Sequence, residues 1–286
     1  MTLDTKTPKR ISEAVGCTLL LSMLFLLGAS LIPWAEEITV GQLFLRMLVK
    51  LSIFLFPMAW LVRFVRKRKI GLPMPAEKAA LNKTLMLTLS SAGLIVIVEM
   101  LYAAVFPSAT ASAGVAKGNT FFENILLFLL TAGVPAVSEE LLFRGAILRS
   151  LRVFRTSLAI LMSALVFALM HFSMEAFPIA FVSGLIFGMA YVSTGSVRSV
   201  IGIHFLCNAF WFLAETVSVY IPDGYAVFMR GSFAACVLLS SAGLPFLREN
   251  TAAFFADDEY AVPSSAVWTM PMMLFLVLSV GIQLLA

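Results

Sequence analysis

A chain of 286 residues, of which 60% are hydrophobic and only 13% charged, differs from a soluble domain, where about a quarter of the residues are charged. Its mean hydropathy of +0.98 indicates an integral membrane protein. The net charge of +4 does not indicate nucleic-acid binding, because the basic residues lie beside apolar runs rather than in one patch. The three cysteines lie in apolar runs without paired spacing, which argues against a disulfide framework or a Cys-rich metal site.

Nine apolar segments follow one another along the chain, and a spanning helix needs roughly 20 apolar residues. The segments lie at 14–33, 43–65, 84–106, 121–143, 156–173, 177–194, 199–220, 226–247 and 266–286. This pattern predicts an all-α fold, a polytopic transmembrane helix bundle with about eight (roughly seven to nine) membrane helices. The first segment is longer than the apolar core of a secretory signal, so we expect it to be retained as a helix.

Basic residues precede the first segment, follow the second and follow the fourth, which places them on one side of the membrane. They are Lys6, Lys9, Arg10, the run RFVRKRK (63–69), Arg149, Arg152 and Arg155. Because loops rich in lysine and arginine stay in the cytoplasm, the pattern predicts a cytoplasmic N-terminus. We expect a multi-pass protein of the cell membrane.

One polar stretch divides the chain. The sequence PSATASAGVAKGNT (107–120) is small, polar and glycine-containing, and it predicts an external loop. We therefore expect N-terminal transmembrane helices (1–120), a central unit (121–215) and C-terminal transmembrane helices (216–286). The central unit holds the polar residues that most need an explanation.

The chain has only two histidines, and both lie in apolar segments. His171 ends the stretch FALMH, four residues after Phe167. His204 begins the stretch HFLCN, four residues before Asn208. Side chains at positions i and i+4 share one face of a helix, so each histidine is expected to lie beside its partner. A lone histidine on an apolar face is usually a packing residue, but here both lie in the membrane.

Two adjacent carboxylates, Glu139 and Glu140, end another apolar run, and Arg144 follows the second by one helical turn. A charged group near the bilayer centre costs roughly 2.5–3.5 kcal/mol on insertion scales, so such groups normally face the bundle interior. Three helices that each turn one such pair inward predict a single shared polar cavity. We interpret Glu99 and Glu123 instead as helix-end or packing charges.

Other interpretations of these residues stay open. Ser138 could cap a helix whose first turn carries the two carboxylates, with Arg144 on an interfacial amphipathic helix. Buried carboxylates and histidines also occur in transporters, although this sequence shows neither an internal repeat nor matched broken helices. A membrane scaffold without catalytic activity is a third alternative.

The residue types suit peptide hydrolysis, which needs an activated water, a group that stabilises the oxyanion and a proton donor for the leaving amine. In this scheme Glu139 draws a proton from water with help from His171, while His204 and Asn208 donate hydrogen bonds to the oxyanion. Arg144 would pair with Glu140.

Zinc is an alternative use of the same side chains. Two histidines and a glutamate can hold the ion with one open position. The HExxH pattern is absent, however, and the ligands would have to come from three helices. We expect no cofactor, with zinc as the alternative.

The three stretches EELLFR, FALMH and HFLCN resemble the EExxxR, FxxxH and HxxxN motifs of the CPBP family, the CAAX proteases and bacteriocin-processing enzymes. They occur in the family's order and, with their helices, cover roughly 121–215. The resemblance implies an intramembrane protease in which Glu139 and His171 activate water and His204 and Asn208 form the oxyanion site. It implies supporting roles for Glu140 and Arg144.

The same resemblance implies the partners. We expect a peptide or protein substrate within the lipid bilayer, no nucleic acid, and cleavage near the cytoplasmic face. Family members are often labelled metalloproteases, whereas a metal-free glutamate mechanism fits these residues better. A prenylated protein, a signal or bacteriocin-like peptide and a segment of a membrane protein are all compatible substrates.

Overall fold

The computed structural model describes residues 6–34, 39–68, 79–106, 118, 120–245, 248, 251 and 263–285. These residues form helices and no strand, which confirms the all-α prediction. The long helices are α1 (Lys6–Ser30), α2 (Val40–Lys67), α3 (Leu81–Val105), α4 (Phe121–Leu151), α5 (Thr156–Leu169), α6 (Phe177–Thr194), α7 (Val197–Tyr220), α8 (Pro222–Ala242) and α9 (Met270–Leu285). Seven of them, all except α5 and α9, are long and apolar enough to cross a membrane.

Each apolar segment of the sequence contributes one of these helices. Some helices extend beyond the predicted segment, because the helix continues into polar or charged residues. Helix α1 begins at Lys6, eight residues before the apolar segment, because backbone hydrogen bonding continues through the polar residues. Helix α4 continues to Leu151, so Arg144 lies inside a membrane helix and not after it. The loop 107–120 lies outside the described residues except for Gly118 and Thr120, and the division into three units stays a prediction.

Helix α4 departs from regular α-helix on both sides of the carboxylate pair. Leu129–Gly133 and Leu141–Leu148 are π-helical, and the α-helical turn Val134–Glu140 lies between them. Such π segments are rare and are frequent at functional sites, because the wider turn re-aims the side chains that follow it. The carboxylates therefore lie on a helix whose regular register is interrupted twice.

Small residues allow α5 and α6 to approach closely. A side chain at Gly184 would bring its Cβ within 3.0 Å of the Ala164 Cα atom, and one at Gly188 within 2.9 Å of Ile160. Close helix contacts through small residues are typical of membrane bundles, where van der Waals packing replaces the hydrophobic effect. This contact presses α6 against the site that α4 and α5 build.

The helix ends divide into a basic face and an opposite face. Lys9 and Arg10 lie near the start of α1, and Arg66 lies at the end of α2. The end of α4 and the start of α7 add Arg149 and Arg198 on the same face. The ends of α1 and α5 and the start of α2 lie on the opposite face. Under the positive-inside rule, this basic face is the one expected in the cytoplasm.

Candidate active site

The centre of the site is a buried cluster of three charged or polar side chains. The Arg144 Nη1 atom donates to Glu140 Oε1 at 2.9 Å, and His204 Nδ1 lies 2.9 Å from the same oxygen. Glu140 and Arg144 are fully buried, and His204 is 7% exposed. The cluster joins α4 to α7 across 64 residues of sequence, and it places the second glutamate beside the second histidine.

Aromatic rings surround the Arg144 guanidinium. Its Cζ atom lies 4.5 Å from the ring centroid of Phe167, 5.0 Å from that of Phe187 and 5.9 Å from that of Phe143. The Nη2 atom donates to the Gly184 carbonyl at 3.1 Å. Cation–π contacts strengthen when water is excluded, so the cation is held by rings as well as by its carboxylate.

Phe167 also organises the two histidines. Its ring centroid lies 4.9 Å from that of His171 and 6.1 Å from that of His204, with edge-on geometry in both cases. The predicted pairing of Phe167 with His171 on one helix face is therefore present. The ring separates the imidazoles and fixes their orientation.

Two cavities meet at these rings. Glu139 and His171 line a cavity of about 490 Å³ between α1, α2, α4 and α5. His204 and Asn208 line a smaller one of about 120 Å³, and His171 borders this cavity as well. The structure thus brings all three motifs together, but around two adjoining cavities rather than the single shared cavity predicted, because Glu139 and Glu140 turn to different sides of α4.

The hydrogen bonds of the two histidines indicate which ring nitrogen carries the proton. The Nδ1 atom of His171 lies 2.9 Å from the Phe167 carbonyl, which can only accept, so Nδ1 carries the proton. By the same reasoning the Nδ1 of His204 carries a proton toward the Glu140 carboxylate. In the neutral rings both Nε2 atoms keep a lone pair.

The remaining motif residue, Asn208, contacts α4 about two turns before the carboxylates. Pro135 has no N–H for the Thr131 carbonyl four residues earlier, and Asn208 Nδ2 donates to that carbonyl over a long 3.4 Å. Close to His171, Phe172 has a positive φ of 48°, a left-handed conformation that costs a non-glycine residue roughly 1–2 kcal/mol. Such strain clusters at functional sites.

Sequence reasoning missed Glu99. This residue of α3 lines the smaller cavity with both histidines, and its Oε2 atom accepts a hydrogen bond from Trp211 Nε1 at 2.6 Å. It is therefore not a helix-end charge, and its contact with Trp211 places it beside the site. Glu123, in contrast, forms a capping box with Thr120 at the start of α4, which confirms its interpretation as a helix-end charge.

The alternative in which Ser138 caps a surface helix is wrong. Ser138 lies within α4, and its hydroxyl donates to the Val134 carbonyl of the preceding turn. Arg144 is buried rather than interfacial. As for metal, no group of three or more His, Cys, Asp or Glu side chains in the described part of the chain is placed to hold an ion. Among the described residues, the two histidines and the glutamates are therefore not arranged to fit a zinc ion.

Comparison with known proteins agrees with the motifs. Residues 121–210 match the family model described as type II CAAX prenyl endopeptidase Rce1-like. No curated protein and no solved structure matches the chain significantly. The matched residues run from the start of α4 through most of α7 and contain all seven motif residues discussed above. The resemblance to the CPBP family is thereby confirmed for residues 121–210.

Proposed function

We propose that this protein is an intramembrane endopeptidase in which Glu139 activates the water that attacks a peptide bond. One observation carries the proposal: Glu139 is the carboxylate of the pair that faces an open cavity, and His171 lines that cavity with it. Glu140 is occupied by Arg144 and His204 and has no access to a substrate. The family implies a CAAX-type protease, and the roles of individual residues are our inference.

In the proposed reaction the Glu139 carboxylate takes a proton from water as the water oxygen bonds to the carbonyl carbon. The protonated His171 Nδ1 is held by the Phe167 carbonyl, so its Nε2 lone pair can orient the same water. Glu139 then returns the proton to the nitrogen as the carbon–nitrogen bond breaks. No other group has to accept or supply a proton over the cycle.

His204 and Asn208 would stabilise the negative oxygen of the intermediate, because both border the smaller cavity. The Nδ1 proton of His204 is committed to Glu140, so His204 must be doubly protonated to donate from Nε2. The Glu140 carboxylate compensates for that positive ring, and Arg144 holds the carboxylate in place. Glu140 and Arg144 are therefore positioning residues.

The side of the membrane that we propose rests on the positive-inside rule applied to this fold. The larger cavity is lined by Leu26, Trp34 and Arg46, near the helix ends that face away from the basic face. With a cytoplasmic N-terminus, it opens toward the non-cytoplasmic side. The expectations of a cytoplasmic N-terminus and of cleavage near the cytoplasmic face are thus incompatible in this fold. We retain the first, because four basic helix ends support it.

The test is cleavage of a peptide library by the purified protein, compared with Glu139→Gln and His204→Ala. We expect the wild type to cut, both variants to lose activity and a chelator to leave cleavage unchanged. Loss of cleavage on chelation, with recovery on adding zinc, would replace the metal-free mechanism. Full activity of Glu139→Gln would overturn the proposed role of Glu139.

A further inference from the structure

One membrane helix is left almost uncovered by the rest of the described structure. None of the apolar stretch of α8 is buried, whereas 28–50% of the corresponding stretch is buried in the other six helices that are long enough to span a membrane. Helix α8 contacts α3 and α7 along one side, where Ser240 donates to the Ser90 carbonyl and the Phe228 ring stacks on that of Phe210. The rest of its surface faces outward, toward lipid.

This outward surface carries a charged side chain well inside the helix. Arg230 is exposed and follows the start of α8 at Pro222 by eight residues, which is about 12 Å along the axis. Its Nε atom donates to the Ala226 carbonyl of the same helix at 3.1 Å, and no carboxylate of the described residues forms an ion pair with it. Charged groups inside a bilayer are costly and normally face a bundle interior or a partner. Within the described chain, Arg230 faces neither.

The Arg230 side chain stops short of the membrane interface. Because its Nε atom is held at the Ala226 carbonyl, the guanidinium lies near the level of Ala226, about 6 Å inside the start of the helix. An arginine that only reaches for a lipid phosphate extends its stem toward the helix end instead. The two Nη atoms have no hydrogen-bond partner among the described residues, and together they form the planar fork that fits a carboxylate.

Small residues around Arg230 allow a second helix to approach closely. Ala226 and Ala234 are exposed one turn before and one turn after Arg230, on the same side of the helix. A Cβ atom added at Gly231 would meet nothing within 4 Å. Small residues let membrane helices pack closely enough for polar side chains to pair between them. We call Ala226, Arg230, Gly231 and Ala234 the Arg230 face, which combines a surface for close packing with an unpaired cation.

We propose that the Arg230 face binds a transmembrane helix of another protein, which contributes an aspartate or glutamate that pairs with Arg230. A carboxylate matches both the charge and the fork of the guanidinium. A second copy of this chain matches less well, because in a two-fold dimer around α8 the two Arg230 side chains would lie at the same depth and repel each other. Asp223, the acid of α8, lies about 10 Å away along the axis. The inference does not depend on the proposed protease function.

The experiment measures energy transfer between the donor-labelled protein and acceptor-labelled transmembrane peptides in phosphatidylcholine vesicles. Three leucine–alanine peptides differ in a single residue, about two turns inside one end, which is glutamate, glutamine or lysine. We expect the glutamate peptide to bind about threefold to thirtyfold more tightly than the glutamine peptide, as is typical of polar pairs between membrane helices. The lysine peptide should bind least. Equal binding of the three peptides to the wild type would overturn the proposal.

An exchange of charges assigns the effect to Arg230. In Arg230→Glu the order should be reversed, with the lysine peptide binding best. Arg66→Gln, which removes an exposed cation at the end of α2, is the matched control and should keep the wild-type order. Because Arg230 forms no hydrogen bond or ion pair with another helix of the described chain, both variants should unfold at the wild-type temperature. The wild-type order of binding in Arg230→Glu would overturn the assignment to this residue.

Two further outcomes would identify a different occupant of the Arg230 face. Energy transfer between two labelled copies of the protein that is lost in Gly231→Leu would mean that a second copy covers this face, and it would overturn the proposal. A preference for the glutamate peptide that disappears in vesicles containing phosphatidylglycerol would assign Arg230 to a lipid phosphate, with the same consequence.

Discussion

Glu139 and Glu140 are neighbours in sequence, yet they belong to two different regions of the molecule. Glu140 lies in a sealed cluster with Arg144 and His204, where it is 0% exposed. Glu139 lines an open cavity of about 490 Å³ with His171. Adjacent residues on a helix point about 100° apart, so one helix serves both regions. In the proposed mechanism, Glu140 and Arg144 maintain the geometry, while Glu139 and His171 in the open cavity, with His204 at the edge of the cluster, carry out the chemistry.

The largest expected effect concerns the sealed cluster. Arg144→Met removes the cation but keeps most of the side-chain volume, and it leaves the Glu140 carboxylate buried beside His204 alone. Breaking a buried ion pair from one side typically costs about 3–5 kcal/mol. We therefore expect a loss of stability of that order in chemical unfolding of the detergent-solubilised protein. The matched change Arg66→Met, at an exposed position of α2, should have almost no effect.

A substitution in the open cavity should have the opposite effect, with a loss of cleavage rate and almost no loss of stability. Glu139→Gln keeps the shape of the side chain and removes the base, so we expect the cleavage rate to fall by about 10²–10⁴-fold. The unfolding free energy should stay within about 0.5 kcal/mol of wild type, as at other sites outside packed or paired positions. Rate and stability are measured on the same preparation. A large loss of stability in this variant would remove the distinction between the two regions.

Glu140→Gln tests the distinction between the sealed cluster and the open cavity. It weakens the support of His204, and loss of such an outer partner typically costs about 10–100-fold in activity at comparable sites. It also leaves Arg144 buried without its counter-charge, so stability should fall together with rate. A variant that lost rate alone would indicate that Glu140 contacts the substrate directly, contrary to its burial.

The local parts of this arrangement could be predicted from the sequence. The pairing of Glu140 with Arg144 and of Phe167 with His171 follows from the four-residue spacing, because neighbours on one helix face meet whatever the tertiary fold. The nine apolar segments predicted the helices for a similar reason, since membrane helices satisfy their own backbone. The apolar composition of these segments was therefore enough to predict the helices.

The long-range parts could not be predicted. Only tertiary packing brings Glu140 to His204 across 64 residues. Glu99 was taken for a packing charge because a single acid near a helix end carries no signal of what faces it. The π segments that flank the carboxylates have no sequence pattern either. Each of these features depends on neighbouring helices rather than on the segment itself.

A substitution that disturbs the packing behind the sealed cluster should have an intermediate effect. Gly184→Ala would bring a Cβ within 3.0 Å of backbone on α5, while the Gly184 carbonyl is also the acceptor for Arg144. Overpacking typically costs about 1–3 kcal/mol, and we expect activity to fall because Arg144 moves. Gly28→Ala, where nothing lies within 4 Å, is the matched control and should be neutral in both measurements.

The smallest expected effect lies at the edge of the smaller cavity, where Glu99 meets Trp211. Trp211→Phe removes the donor of the 2.6 Å hydrogen bond and leaves the carboxylate short of a partner, which should cost about 1–3 kcal/mol. In a Glu99→Leu background the same change should cost less, because no acceptor remains. The double-mutant cycle from unfolding free energies measures that difference. Zero coupling would mean that the hydrogen bond contributes nothing to stability and that Glu99, unlike Glu140, is not held in place by its partner.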